Sequence, residues 1–365
     1  MSTLSRRQFI KNAIVTGAAI TAFPTVFVRK APAAWARKTI VHPEVDNLRV
    51  VGIADPAMTK AAETIPYGWA GQDKLVVTEA VWENIDRLAC ALAQSRNSAE
   101  AWRQIFIKPP RKSWSDTVVA IKTNNFFDQL THSAIMAKIC HVMTDTLGVR
   151  ASNIHIYDAW AGVGMSRRTP FAGLPAGCRI ENEWGGCRQF TKVPAPWNKS
   201  APCLKHLVDG SVDILVNIAM CKGHWVEFGG FTMTMKNHFG TFSPMPAHEE
   251  ASGKRSLDYL LAINQSPEIL GPMDKQTGKV LYPRQQLCLI DALWASQEGP
   301  AGRPSHQPNY LAMGVLSPIV DYQVATKFRG KKMGWEPNME ATRRMLTAFG
   351  YTEGDLPNKR KIIEL

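Results

Sequence analysis

The sequence predicts a three-layer α/β fold, with a largely parallel sheet, helices on both of its faces and a long irregular insertion. The first observation is a nearly unbroken apolar run at residues 214–219, which is typical of a strand buried on both faces. The second is the alternation of short apolar segments with segments whose apolar residues recur every three or four positions. Strand–helix–strand units of this kind form right-handed crossovers and favour a parallel sheet.

Six segments are predicted to be strands because each is short, apolar and bounded by polar or turn residues. They are residues 48–54, 117–121, 154–157, 214–219, 287–290 and 311–316. Six others show the helical period, and most begin at a capping residue or a proline. They are residues 78–92, 98–106, 131–147, 256–264, 318–328 and 337–349.

Residues 160–203 interrupt this alternation and are rich in Gly, Pro, Trp and Arg. A loop of this length inside a compact domain usually serves a function, so we expect it to close over a site. Gly162 and Gly164 do not match a dinucleotide-binding fingerprint, because no third glycine and no amphipathic helix follow. The sequence therefore argues against a nicotinamide cofactor.

Residues 1–36 are predicted to be a twin-arginine signal peptide. Arg6 and Arg7 precede a mildly apolar run at 13–28, and small residues then fit cleavage after Ala33 or Ala36. The run is too short and too weakly apolar for a comfortable membrane span, although an anchoring helix is the alternative. We expect the twin-arginine translocation machinery to export the folded protein to the periplasm, with residues 37–365 as a single α/β domain and no stable membrane span after cleavage.

The chain carries a formal net charge of +12, and residues 1–36 contribute five basic and no acidic side chains, which leaves +7 for the remainder. No basic run interleaved with aromatic residues occurs in that remainder, so nucleic acid is excluded as a partner. The moderate positive charge favours a small anionic ligand.

The seven cysteines include no C-x-x-C pair, which argues against an iron–sulfur cluster bound by this chain alone. In an oxidising compartment disulfides are expected. Cys178 and Cys187 flank a loop with two glycines, so a local disulfide between them is the favoured pairing. Cys90, Cys140 and Cys288 lie in apolar surroundings and are predicted to be buried thiols.

Polar residues follow the ends of several predicted strands, and the stretch 213–241 is the richest in them. Lys222 and His224 come directly after an apolar strand, Gly229 and Gly230 bend the chain, and a second polar cluster ends at Gly240. In open α/β sheets, ligands bind outside the carboxyl ends of the strands. We therefore expect one rim of the sheet to carry Asp55, Lys122, Asn124, Asp158, Lys222, His224, Lys236, Asn237, His238 and Asp291.

Five segments resemble those of a known family. They are V-A-I-K-T-N at 119–124, V-N-I-A-M-C-K-G-H at 216–224, T-M-K-N-H-F-G at 234–240, I-D-A-L-W-A-S-Q-E-G-P at 290–300 and S-P-I-V-D at 317–321. In these segments the chain resembles exported members of the uncharacterised domain-of-unknown-function family 362. The resemblance implies an α/β fold and names no reaction. The closing element of the family usually has a serine followed closely by two aspartates, whereas this chain has only Asp321.

Three lysines in one crevice repel one another by about 1 kcal/mol or more unless an anion or carboxylates neutralise them. This predicts a phosphate or carboxylate ligand. Crowding also lowers a lysine pKa, so Lys222 and Lys236 are candidates for anion binding, general base catalysis or condensation with a carbonyl group. His224 and His238 are candidate proton shuttles. The candidate substrate-binding residues are Lys122, Asn124, Asp158, Asn237 and Asp291.

Simpler explanations exist for each of these residues. Lys122 and Lys236 are explained equally well as members of structural ion pairs. Their partners would be Asp158 and Asp291. The two asparagines of the rim, taken singly, are explained as turn-capping residues.

A metal site at the two histidines is a further alternative. His224 and His238 could bind a metal together with Asp291 or Cys221, but no compact ligand spacing supports this. The sequence leaves the identity of any metal or cofactor open.

Two function classes remain. One is an exported enzyme that acts on a small anionic substrate or cofactor, with redox chemistry if a cofactor is inserted before export. The other is a non-catalytic periplasmic protein that binds or delivers a metal, cofactor or anion.

Overall fold

An eight-stranded sheet forms the centre of the fold. The structure is a computed structural model and describes residues 38–127, 129–158, 165–249, 254–274, 276–277, 279–301, 303–356 and 363–364. The signal peptide predicted at 1–36 lies outside the described residues.

Strands are numbered along the chain. In spatial order the central sheet contains β14 (Ile363–Glu364), β1 (Val51–Ala54), β13 (Tyr310–Gly314), β12 (Gln285–Ala292), β9 (Ile214–Met220), β2 (Val119–Lys122), β5 (Ile154–Tyr157) and β6 (Arg179–Glu181). β13 runs antiparallel to both of its neighbours, and the remaining pairs are parallel. The predicted largely parallel sheet is confirmed.

Three two-stranded ribbons accompany this sheet. They pair β3 (Asn125–Phe126) with β4 (Gln129–Leu130), β7 (Arg188–Lys192) with β8 (Ser200–Leu204), and β10 (Lys222–Gly223) with β11 (Phe231–Thr232).

The described α-helices are α1 (Trp69–Asp73), α2 (Thr78–Ala93), α3 (Ser98–Ile105), α4 (Ser133–His141), α5 (Met165–Arg168), α6 (Lys205–Val208), α7 (Thr234–Asn237), α8 (Met245–Glu249), α9 (Lys254–Asn264), α10 (Pro267–Leu270), α11 (Ser317–Gln323) and α12 (Met339–Thr347). α2 packs against α3, α4, β1 and β13, while α7 packs against β9, β12, α9 and α11. These two groups supply the helical layers of the predicted three-layer fold. α4 and α11 each continue into a π-helical segment, Val142–Thr146 and Val324–Lys332.

β9 lies between β12 and β2, and all seven of its residues are buried. This explains its continuous apolar sequence, since both of its faces are covered. Parallel pairing with β2 and β12 brings the carboxyl ends of three strands to one edge of the sheet. The segments that follow these strands build the candidate site.

The helices begin close to the predicted positions, with different capping. Thr78 is the first residue of α2 instead of its cap, and α4 begins at Ser133, two residues after Thr131. The side chain of Asn97 caps α3 by accepting a hydrogen bond from the backbone N–H of Glu100 at 3.0 Å. Bounds differ by a few residues because tertiary packing decides which terminal turns form.

The described part of the predicted insertion, residues 165–203, is more regular than expected. It contains α5, β6 and β7, and its end lies in β8. Arg188 pairs with Leu204 and Lys192 with Ser200, so cross-strand hydrogen bonds order a segment that has no apolar alternation. Its first residues, 160–164, lie outside the described part of the chain.

Candidate functional site

The segment after β9 forms the floor of the candidate site. β10 and β11 pair with Lys222 opposite Thr232. Gly229 and Gly230, which join them, have φ angles of +89° and +83°. Side chains other than glycine rarely adopt this conformation, so the bend predicted at the two glycines is confirmed.

The loop after β12 packs directly on the backbone of Gly223. A Cβ atom at Gly223 would lie 1.9 Å from the carbonyl oxygen of Gln297, and one at Gly299 would lie 2.2 Å from the carbonyl oxygen of Gly223. The N–H of Gly223 donates to the carbonyl oxygen of Glu298 at 3.2 Å. This backbone contact places Pro300 on the wall of a cavity.

The cavity has a volume of about 350 Å³. Its polar lining residues are Lys122, Asp158, His224, Thr232, Lys236 and Asn237, and the others are Phe126, Trp225, Phe239, Gly240, Pro244, Met245 and Pro300. A mostly apolar wall with a few polar groups is the usual composition of a small-molecule site. Five of the nine predicted catalytic and substrate-binding residues therefore line this cavity, and Asn124 and Lys222 each bond directly to a lining residue.

Lys122 and Asp158 form a buried ion pair on the cavity wall, with Lys122 Nζ 3.1 Å from Asp158 Oδ1. Lys122 Nζ also donates to the carbonyl oxygen of Thr123, and the other Asp158 oxygen accepts from the N–H of Asn125 at 2.6 Å. Burial lowers the pKa of Lys122, while the Asp158 carboxylate acts in the opposite direction. Only a residue without a side chain fits beside them, since a Cβ at Gly240 would lie 2.1 Å from Lys122 Cε.

Two asparagine side chains connect the lysines. Asn237 Oδ1 accepts hydrogen bonds from Lys122 Nζ at 3.1 Å and from Asn124 Nδ2 at 3.2 Å. Asn124 Oδ1 in turn accepts from Lys222 Nζ at 2.7 Å. The Asn237 amide donates to Asn217 Oδ1 at 2.9 Å, which anchors this network to β9. The asparagines thus position buried lysines, a role that turn capping does not describe.

Lys236 has different surroundings. Its Nζ atom is buried and has no hydrogen-bond partner among the described residues. It lies 3.5 Å from the ring centroid of Phe228 and 3.3 Å from that of Phe239. Burial lowers the pKa of Lys236 well below its ordinary value of 10.5. The ring faces attract a cation by about 0.5–2 kcal/mol, which is less than the cost of several kcal/mol for burying one.

Asp321 holds the short helix that carries Lys236. Its carboxylate accepts from the backbone N–H groups of Thr234 and Met235, both at 2.8 Å, and from the Thr234 hydroxyl at 2.6 Å. These are the unpaired N–H groups at the start of α7, where a negative charge is favourable. Burial raises the pKa of Asp321 to about 6, and the hydrogen bonds act in the opposite direction.

His224 lies on the cavity wall and is half-buried. Its Nδ1 accepts from the backbone N–H of Trp225 at 2.7 Å, so the neutral ring carries its proton on Nε2. The ring contacts Phe228 edge-on, with 5.0 Å between centroids. Of the two predicted proton shuttles, His224 is the one on the cavity wall.

His238 lies in a fully buried network behind α7. Its Nε2 is 2.6 Å from Gln285 Oε1 and 2.9 Å from Asn217 Nδ2, and its Nδ1 is 3.0 Å from Thr241 Oγ1. Burial lowers the pKa of His238 to about 3, although the hydrogen bond with Gln285 acts in the opposite direction. The structure places His238 where it ties α7 to β9 and β12.

Asp291 and Asp55 also lie away from the cavity. Asp291 is fully buried and accepts from the backbone N–H and Nδ1 of His132 at 3.0 and 2.8 Å. Asp55 accepts from Asn84 at 2.6 Å and caps a 3-10 turn. The ion pair considered for Lys122 and Asp158 is present, whereas the one between Lys236 and Asp291 is not.

Sequence reasoning did not identify the aromatic residues of the site. Phe228 and Phe239 enclose the Lys236 amine, and Phe126 and Trp225 line the cavity. For Trp225, Phe228 and Phe239 the signal was their position in the polar-rich stretch 213–241, and Phe126 had none. Arg188, which donates to the carbonyl oxygen of Gly240 at 3.2 Å, lies in the insertion and had no such signal.

The disulfide predicted between Cys178 and Cys187 is wrong, because all seven cysteines are free thiols. Cys178 instead lies beside Cys140 on α4, with the two thiols close enough to shift each other's pKa in opposite directions. Cys187 is exposed at the end of a 3-10 turn, where its N–H bonds to Trp184. Cys140 and Cys288 are buried as predicted, and Cys90 is half-buried.

Within the described ranges, no group of three or more His, Cys, Asp or Glu side chains is placed to hold a metal ion. In the same part of the chain, no helix is both long and apolar enough to cross a membrane. Comparison with protein families, curated proteins and solved structures gave no match.

Proposed function

We propose that the cavity is the active site of an exported enzyme that acts on a small anionic substrate, with Lys236 as the residue that meets the substrate. The observation that carries the proposal is the buried Nζ atom of Lys236, which has no hydrogen-bond partner among the described residues. A buried polar group is normally paired, so an unpaired one beside a cavity points to a ligand.

An anion would compensate the electrostatic cost at this position. Without an anion, the cost of several kcal/mol for burying an ammonium group favours the uncharged amine, and a carboxylate or phosphate next to Nζ would stabilise the protonated form and accept its hydrogen bonds. Lys122 is already paired with Asp158, and Lys222 donates to Asn124 and to the carbonyl oxygen of Phe126 at 2.9 Å. Lys236 is therefore the best candidate for the anion.

The wall of the cavity sets the shape of the substrate. Phe126, Trp225, Phe239 and Met245 line it, so an apolar or aromatic body fits beside the anionic group. The volume of about 350 Å³ corresponds to a small molecule. In this proposal His224 exchanges a proton with the substrate through Nε2, and the Lys122–Asp158 pair shapes the adjacent wall.

Thermal unfolding with and without 3-phenylpropionate or inorganic phosphate tests the proposal. We expect at least one of these anions to raise the melting temperature of the wild type and to lose this effect in Lys236→Met. Lys74→Met, at an exposed lysine on another part of the surface, is the control and should respond as the wild type does. Equal stabilisation of Lys236→Met and wild type would overturn the proposal.

A non-catalytic binding protein is the second candidate, and one observation favours it. Of the four residues predicted to be catalytic, Lys222 and His238 are buried in hydrogen-bond networks, which leaves fewer groups for proton transfer. Anion binding through Lys236 without conversion of any of a panel of carboxylates would support this function over the enzymatic one.

Export and family membership remain part of the proposal. The twin-arginine pattern at residues 5–11 supports periplasmic localisation, and the five motifs support membership of domain-of-unknown-function family 362. Cell fractionation tests export: replacement of both Arg6 and Arg7 by Lys should retain the protein in the cytoplasm. Unchanged periplasmic recovery would contradict it.

A further inference from the structure

We propose that Lys236 is a carbonyl-condensing lysine, and that the substrate is a carboxylate that also carries an aldehyde or ketone group. This inference rests on the proposed function, since it uses the same cavity and assigns the chemistry of its central residue.

The surroundings of Lys236 Nζ favour an uncharged amine. Lys236 Nζ is enclosed by Phe228 and Phe239, with 3.5 and 3.3 Å to their ring centroids. Among the described residues, no carboxylate forms an ion pair or a hydrogen bond with it. Burial in apolar surroundings favours the uncharged amine, and the pKa of Lys236 is lowered accordingly. An uncharged lysine amine is the nucleophile that forms imines with carbonyl compounds.

The two neighbouring lysines differ from Lys236 in having oxygen acceptors for their amines. Lys122 Nζ has three oxygen acceptors, on Thr123, Asp158 and Asn237, and Lys222 Nζ has at least two. These contacts stabilise the ammonium form and occupy its hydrogens. The structure thus separates two lysines held by oxygen acceptors from one amine that is suited to nucleophilic attack.

The reaction balances without a redox partner. The lone pair of Lys236 Nζ attacks the carbonyl carbon, a C–N bond forms, and the C–O bond then breaks. The oxygen leaves as water with the two hydrogens of the amine, which gives the imine. Protonation of its nitrogen, from solvent or by exchange through the Nε2 of His224 on the cavity wall, gives an iminium ion.

The surroundings of Nζ also suit the product. The iminium cation would lie between two aromatic faces, which attract a cation, and the substrate carboxylate would offset its charge. Phe239 is only half-buried and lines the cavity, so displacement of its ring gives the carbonyl compound access to the amine. Asp321 fixes the helix from which Lys236 projects.

Reductive trapping tests this inference. The purified protein is incubated with phenylpyruvate, which combines a ketone, a carboxylate and an aromatic ring, and is then treated with sodium cyanoborohydride. We expect a single adduct by intact mass, mapped to Lys236 by peptide sequencing and absent from Lys236→Met. Mapping in the wild type needs no variant, so the test holds even if Lys236→Met folds poorly.

Phenyllactate is the matched control because it keeps the carboxylate and the ring but lacks the ketone. It should raise the melting temperature and give no adduct. Stabilisation by phenyllactate that depends on Lys236, without an adduct from phenylpyruvate or with adducts only on exposed lysines, would overturn the inference and leave the proposed function standing. Absence of both stabilisation and adduct would overturn both.

Discussion

Lys122 Nζ lies 3.1 Å from Asp158 Oδ1, and both side chains are almost completely buried on the wall of the cavity. Lys122 is the last residue of β2 and Asp158 follows β5, its parallel neighbour, so the sheet itself sets their separation. The pair neutralises one lysine of the site, and no carboxylate among the described residues pairs with Lys236. Its geometry also explains the glycine at position 240.

We expect Gly240→Ala to disrupt the Lys122–Asp158 pair. The new Cβ would lie 2.5 Å from Lys122 Nζ and 2.7 Å from Asp158 Oδ1, so one side chain must move. Breaking a buried ion pair costs about 3–5 kcal/mol, which urea unfolding would measure as a lower free energy of unfolding. Gly186→Ala, where a Cβ meets no atom within 4 Å, is the control. Equal stabilities of the two variants would contradict the prediction.

Asp321→Asn should weaken the attachment of α7. The amide keeps one oxygen but cannot accept both backbone N–H bonds, from Thr234 and Met235, that the carboxylate accepts. Each lost bond to a charged group costs about 1.5–3 kcal/mol. The variant should also respond less to phenylpropionate, since Lys236 is misplaced. Asp116→Asn, at a surface ion pair with Arg150, should cost less than about 1 kcal/mol. A larger loss of unfolding free energy in Asp116→Asn than in Asp321→Asn would refute the role assigned to Asp321.

Lys236 should give the protein a characteristic pH dependence. Its pKa is lower in the folded state than the ordinary value of 10.5, so the unfolded chain binds the proton more tightly. Its stabilising contribution is therefore complete above pH 10.5 and is lost as the pH falls through the folded-state pKa. The slope between these limits reaches about 1.4 kcal/mol per pH unit. The difference in unfolding free energy between wild type and Lys236→Met should follow this curve. The same difference for Lys74→Met should not follow it. A difference that is constant with pH would show that the amine is charged in the folded protein.

Mild oxidation should link Cys140 to Cys178. Their thiols are close enough to influence each other's pKa, whereas Cys187 lies exposed on a separate turn. Peptide mapping after treatment with oxidised glutathione, which exchanges one disulfide for another, should recover a 140–178 cross-link. Cys187→Ser should not affect it. Recovery of a 178–187 cross-link instead would contradict this prediction and support the pairing expected from the two glycines of the intervening loop.

The sequence predicted six of the eight strands of the central sheet, all but β6 and β14, and the gathering of polar residues at one edge, because those features depend on local patterns. A strand buried on both faces is continuously apolar, and polar residues mark the end at which it meets solvent or a ligand. Lys122, Asp158 and Asn237 were therefore placed together correctly.

The directions of individual side chains depend on tertiary packing and could not be predicted. Lys236 and His238 are two residues apart around a short helical turn, so one borders the cavity and the other points into the network of Gln285. The same explanation holds for Asp291, whose side chain on β12 is directed toward His132. Contacts between distant segments, such as Cys178 with Cys140, have no local pattern at all.

The enclosure of the Lys236 amine between Phe228 and Phe239 has a spectroscopic consequence. Hydrogens above the face of an aromatic ring are shielded by its ring current, and the end of this side chain lies over two faces at 3.5 and 3.3 Å. Its terminal methylene should resonate upfield of the other lysines in a proton NMR spectrum. Any molecule that displaces the Phe239 ring would move this signal back, so the protein carries its own reporter of cavity occupancy.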